Sequence, residues 1–184
     1  MRFNELRYQD PITRTYLGSP SIVRLPGGDL LATHDYFGPG APLSHEGIPH
    51  LSSVYRSSDN GATWTNLTHI AGAWWSTLFV HGPDVYLLGV SQEYGSIVIR
   101  RSQDGGATWS HPADERTGLL FRGGPRLEPP NYHCAPTPVL LATGRLYRAF
   151  EDCDPCVWGS GFRSLVISVD ANADLLNAAH WTMS

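Results

Sequence analysis

Along residues 18 to 184 the apolar positions come in short runs that alternate with polar ones, and Gly, Pro, Asn and Asp cluster between the runs. No stretch keeps the 3.6-residue apolar period of an amphipathic helix, so the pattern predicts strands joined by turns. The runs recur in a fixed order. "PSIVRLPGGDLLATHDY" followed by "LSSVYRS" reads as strand, tight turn, strand, loop, strand. "STLFVHGPDVYLLGV" with "SIVIRRS" repeats that order, and "PTPVLLATGRLYRAFED" with "SLVISVD" repeats it again. Three like units predict an all-β chain with units near 18–72, 73–115 and 133–184, and with 116–132 as the loop between the last two.

After the third strand of the first two units the same turn is written twice, "SSDNGATW" and "SQDGGATW", with Trp64 and Trp109 45 positions apart. Its logic is local. Ser57 and Asp59 can accept hydrogen bonds from backbone N–H groups just downstream, Gly61 supplies a positive φ, and Trp64 opens the next strand with a large packing surface. Ser102, Asp104, Gly106 and Trp109 take these roles in the second copy, so the polar groups serve the turn and the repeat is scaffold. In the third unit Ser168, Asp170 and Trp181 hold the corresponding places around an insertion.

Composition narrows the function. The chain has 184 residues, 41% of them hydrophobic, which is enough for a sizeable core. Its net charge is −4, with no basic cluster, so the electrostatic footprint of a nucleic-acid binder is missing. No run approaches the roughly 18 apolar residues of a spanning helix, and "MRFNELRYQD" lacks the apolar core of a signal peptide, so the expectation is a cytoplasmic chain or one whose secretion signal has been removed. Cys134, Cys153 and Cys156 neither build a disulfide framework nor complete a four-ligand zinc site with His133. A local bridge between Cys153 and Cys156 and free thiols both remain open. No structural metal and no cofactor is expected.

The motif S-x-D-x-G-x-x-W, set between the third and fourth strands of four-stranded units, resembles the Asp-box of the sialidase (neuraminidase) superfamily of β-propellers. That resemblance implies four-stranded antiparallel blades, about three of them present from a six- or seven-bladed ring, with the missing blades supplied by the rest of the protein. It implies a carbohydrate-active enzyme with a glycan substrate, secreted or periplasmic. The resemblance to a true sialidase is incomplete, because "GSPSI" keeps Pro20, Ser21 and Ile22 of the R-I-P-S-L type motif but has Gly18 in place of its arginine.

Up-and-down units place their loops alternately at two ends, and here the ends differ. The end opposite the repeated turns carries long loops holding His34, Asp35, His45, Glu46, His50, Glu93, His133, Glu151 and Asp152. Function placed on loops over a rigid scaffold is expected there. His34 and Asp35 in "THDYFG" and His133 in "PNYHCAPTP" are the candidate acid and base groups, with Glu151 as a further catalytic carboxylate. Arg148 is the candidate clamp for a sugar carboxylate, and Tyr36, Tyr132 and Trp74 are candidate substrate-binding side chains. His45, Glu46 and His50 lie in a Pro/Gly-rich loop without fixed ligand geometry.

Three readings follow. A hydrolase cleaving at or beside an acidic or deoxy sugar would use two carboxylates about 5–9.5 Å apart, for which Asp35 and Glu151 are the pair. A lyase acting on rhamnose–glucuronate linkages would use His34 or His133 as base and Arg148 to neutralise the uronate. A non-catalytic carbohydrate-binding propeller would stack sugars on Trp74, Trp75, Tyr36 and Trp158.

Overall fold

Thirteen strands carry the chain in the computed structural model, which describes residues 4–125 and 127–184. They form three antiparallel sheets; the only helical turns among the described residues are two 3-10 segments, Pro11–Thr13 and Ala178–His180. The first sheet is β1 (Tyr16–Arg24), β2 (Leu30–Phe37), β3 (Leu51–Ser57) and β4 (Thr65–Ala71), and the second is β5 (Trp74–His81), β6 (Asp84–Val90), β7 (Ile97–Ser102) and β8 (Leu119–Phe121). In the third sheet β9 (Tyr132–His133) and β10 (Leu140–Ala142) both pair with β11 (Arg145–Val157), followed by β12 (Ser160–Asp170) and β13 (Thr182–Met183). The strands of the first two sheets, and β10 to β13 of the third, lie in chain order, as the repeated pattern predicts.

Alternation decides what each sheet buries. Leu31 of β2, Val54 of β3 and Ile70 of β4 pack on Leu78, Val85 and Leu87 of the second sheet. Across the next interface Leu88, Val90, Ile97 and Ile99 meet Leu146, Phe150, Ile167 and Val169. Each such side chain contributes about 1.5–3 kcal/mol when fully buried, so these two layers hold the sheets together. Residues on the outer faces have no such cover: Ile22 is 59% exposed and Leu140 60% exposed.

The first strands of the sheets share an irregularity that positions the site. The pairing of β1 with β2 shifts register between Gly18 and Ser21, and that of β5 with β6 shifts between Trp74 and Thr77. At each shift one residue takes a positive φ, Ser19 at 51° and Trp75 at 45°. The hydroxyl just beyond then joins neighbouring sheets: Leu78 N donates to Ser21 Oγ at 2.9 Å, and Thr77 Oγ1 donates to the Thr137 carbonyl at 2.9 Å.

The twice-written turn folds as its residues dictate. In the first copy Gly61 N donates to Ser57 Oγ at 2.8 Å and Thr63 N to Asp59 Oδ1 at 2.8 Å. In the second, Gly106 N reaches Ser102 Oγ at 2.8 Å, Thr108 N reaches Asp104 Oδ1 at 3.0 Å, and the Trp109 indole N–H meets the Gly106 carbonyl at 2.9 Å. Gly61 and Gly106 have φ of 85° and 98°. In the third unit Ser168 bonds Arg145 and Thr182 instead, while the Trp181 indole N–H meets the Leu175 carbonyl at 3.0 Å.

Two stretches depart from the sequence reading. The fourth strand of the second sheet is β8, inside the segment read as an inter-unit loop. Pro112 supplies no N–H, and Asp114 caps Arg116 N at 2.9 Å in a tight turn, so pairing resumes only at Leu119. The stretch from Glu151 and Asp152 onward, placed above on a long loop, instead continues β11 and β12 into a long hairpin turning at Trp158 and Gly159, with the register shifted between Cys153 and Val157.

Candidate active site

Among the predicted residues the structure brings together one pair of candidate acid–base side chains, His133 and Glu151. They face each other across β9 and β11, and His133 Nδ1 lies 2.5 Å from Glu151 Oε2. A carboxylate accepts, so Nδ1 carries the proton and Nε2 is left with its lone pair. Nε2 is buried and has no hydrogen-bond partner. Four aromatic side chains stand against the His133 ring: Trp75 at 3.8 Å between centroids, Phe162 at 5.1 Å, Trp158 at 5.5 Å and Tyr94 at 5.8 Å. Burial pushes the His133 pKa below its ordinary value, and the Glu151 carboxylate works against that shift. The imidazole is thus oriented by a carboxylate at Nδ1, with burial working against its charged form and aromatic rings packed on it. Trp158, at the tip of the hairpin, is 69% exposed.

The pair rests on Trp75. A positive φ in a bulky residue costs on the order of 1–3 kcal/mol and needs support from its surroundings. Here the support comes from both sides of the residue. Trp75 N donates to Asp35 Oδ2 at 2.7 Å, and the Trp75 carbonyl accepts from Arg148 Nη2 at 3.0 Å and from Cys134 Sγ at 3.2 Å.

Asp35 and Arg148 therefore lie behind the site, where their chemistry differs from expectation. Asp35 is buried, bonded also to Ser52 Oγ, and its pKa is raised to about 7 because burial outweighs its hydrogen bonds from Ser52, Trp75 and Ser19 and the charge of Arg148. The guanidinium of Arg148 is buried, stacked 4.6 Å over Phe150, and its Nη atoms face the carbonyls of Leu88, Trp75 and Ala135. It offers no edge to a sugar carboxylate, so the expected clamp gives way to a role in the interior. Trp74, 1% exposed, packs between Phe37 and Trp75, and Tyr132 faces the core, so neither presents a surface to a ligand.

His34 belongs to a different cluster. Its Nε2 lies 3.1 Å from the Tyr55 hydroxyl and its ring stacks with Tyr55 and meets Tyr36 edge-on, while Tyr36 bonds Ser53, which bonds His69. These side chains occupy the outer face of the first sheet, away from the His133 ring, beside a groove of about 430 Å³ lined by Leu6, Leu17, Ile22 and Ala32. Burial lowers the His34 pKa. His34 and His133 share no ring partner, so the predicted acid–base pair is not assembled.

His45 is exposed beside Glu46, at 3.9 Å, and no group of metal-ligating side chains is gathered among the described residues. Cys134, Cys153 and Cys156 are free thiols. No helix among the described residues is long and apolar enough to cross a membrane. Sequence reasoning did not assign Tyr94 or Phe162, and gave Trp75 and Trp158 only to a binding role. The signal for Trp75 is its place inside the register shift of β5, which is not visible in residue types.

No protein-family model matches the chain, and no curated protein matches it. Solved structures do. A GH93 α-L-arabinofuranosidase of Fusarium graminearum, in complex with arabinobiose, superposes with a TM-score of 0.66 at 16% identity, over 98% of this chain and 52% of its own. An α-L-arabinanase of Penicillium chrysogenum with arabinobiose gives 0.56 at 24% identity, over 93% and 48%. A family 117 glycoside hydrolase of Zobellia galactanivorans gives 0.62 at 11% identity, over 100% and 59%. The chain thus spans about half the length of the structures it resembles. The likeness shows the fold: a series of antiparallel propeller-type sheets, here without a closed ring.

Proposed function

We propose that this chain forms part of a glycoside hydrolase whose sugar site is built on His133 and Glu151. The observation that carries the reading is the 2.5 Å contact between them, which leaves His133 Nε2 unpartnered, with aromatic rings packed on the imidazole. Glu151 fixes the tautomer and the ring plane, and Nε2 takes a proton from an attacking water or returns one to the leaving oxygen. The aromatic rings exclude bulk water and give the apolar faces of a sugar something to pack on.

The substrate is a neutral sugar, and the neighbours named for arabinan-derived ligands make an α-L-arabinofuranosyl linkage the first choice. An acidic sugar would need a cation at the site, and Arg148 is engaged with carbonyls. The lyase reading loses its carboxylate partner for the same reason. The blades that close the ring come from outside these residues, a reading supported by the apolar outer faces of the first and third sheets and by the half-length match. A binding propeller is the second reading, favoured by the exposed Trp158 stacked near Trp75.

The test is turnover of arabinobiose and of longer α-linked arabinan oligosaccharides by the protein with its ring complete, reading released reducing ends. Glu151→Gln is expected to lower kcat at least about 100-fold while binding persists. Binding without turnover in the unmodified protein would establish the binding module and end the hydrolase reading.

A further inference from the structure

We propose that Asp35 and Arg148 are positioning residues, which grip the backbone of Trp75 from either side and thereby set the ring plane of His133. This rests on the reading of His133 and Glu151 as the sugar site. Asp35 comes from β2 in the first sheet, Trp75 from β5 in the second and Arg148 from β11 in the third, so the grip spans all three sheets. Asp35 Oδ2 accepts from Trp75 N at 2.7 Å, and Arg148 Nη2 donates to the Trp75 carbonyl at 3.0 Å.

The grip has a purpose beyond packing. At a φ of 45° Trp75 departs from the extended backbone of β5, and its indole lies 3.8 Å from the His133 ring between centroids. His133 has one polar anchor, Glu151 at Nδ1, and its ring could rotate about that contact. The indole removes this freedom. Further bonds fix the grip in turn: Ser52 Oγ reaches both Asp35 and the Ala73 carbonyl, and Arg148 Nη2 lies 3.3 Å from Thr77 Oγ1. Every member is buried, so none of them needs to touch a sugar to affect it.

The test reads the His133 Hε1 proton by NMR, since the indole at this distance displaces that resonance by its ring current. Asp35→Leu is expected to abolish the displacement and to lower kcat/KM on arabinobiose about tenfold or more. Asp35→Asn keeps an oxygen for Trp75 N and is expected to restore both. If Asp35→Leu does not fold, the unmodified protein decides: the Trp75 backbone amide resonance must move as Asp35 titrates. An unmoved His133 resonance in folded Asp35→Leu, or a Trp75 amide indifferent to that titration, overturns the proposal. A displaced resonance in a protein that turns over no arabinan oligosaccharide leaves the grip standing and removes the glycosidase reading.

Discussion

Among the described residues three aspartates bond a serine side chain, yet they sit in opposite electrostatic states. Asp59 and Asp104 accept from Ser57 and Ser102 at 2.7 and 2.8 Å, and from the N–H and hydroxyl of Thr63 and Thr108. Their pKa values fall to about 2, through the Thr63 backbone N–H for Asp59 and the Thr108 hydroxyl for Asp104. Asp35 also accepts from a serine and a backbone N–H, but in the interior, and its pKa rises to about 7 through burial. The motif alone does not set the charge. At the turns water solvates whatever the hydrogen bonds leave over, whereas around Asp35 the donors present do not replace the hydration that burial removes.

The largest expected effect follows from the sign of that contrast. Asp35 titrates near 3.8 when unfolded and near 7 when folded, so its contribution is fully present below pH 3.8 and is lost as pH rises through 7. Relative to Asp35→Asn, which stays neutral, the unmodified protein is expected to lose about 4 kcal/mol of stability across that window. Urea denaturation of both proteins at a series of pH values measures the difference. Equal slopes would mean that Asp35 ionises in the fold as easily as outside it. Asp59 and Asp104 have the opposite sign, their contributions being present above about pH 4 and lost as pH falls through 2.

A smaller effect is expected from Ser52→Ala. It removes the hydroxyl that bonds both Asp35 and the Ala73 carbonyl, and leaves a buried acceptor short of a donor at a cost of about 1–3 kcal/mol. Because the lost bond favoured the ionised form, the Asp35 midpoint should move further up. NMR titration of the Trp75 amide at its side reads that direction, and a downward move would mean the hydroxyl was not serving the carboxylate.

The scaffold was legible because its signals are local. The repeated turn names its own hydrogen bonds through Ser57, Asp59 and Gly61, and period-2 alternation names the strands. The same alternation carried information that the site assignment did not use. His34 and Asp35 are adjacent in β2 and must face opposite sides, and in "RLYRAF" Arg148 shares a face with Leu146 and Phe150, which is the buried one. What residue types could not reveal was the positive φ of Trp75, which depends on Asp35 and Arg148 from two other sheets. The long hairpin was hidden by Pro155, Gly159 and Gly161, which read as a loop until the pairing of β11 with β12 is known.

The two repeated turns themselves should not be equal. The second lies against the first sheet: a Cβ on Gly106 would stand 2.6 Å from Leu31 Cδ1, and one on Gly105 would stand 3.3 Å from Arg56 Nη1. At Gly61 in the first turn the nearest atoms, on Leu30 and Trp64, are 3.6 Å away and belong to that turn's own sheet. Loosening the second turn therefore disturbs an interface between sheets, and loosening the first disturbs only its own sheet. Asp104→Ala is expected to cost about 1 kcal/mol, and Asp59→Ala less. Thermal unfolding of both variants at neutral pH ranks them. An equal loss would show that the cost is confined to the turn, with nothing transmitted to Leu31.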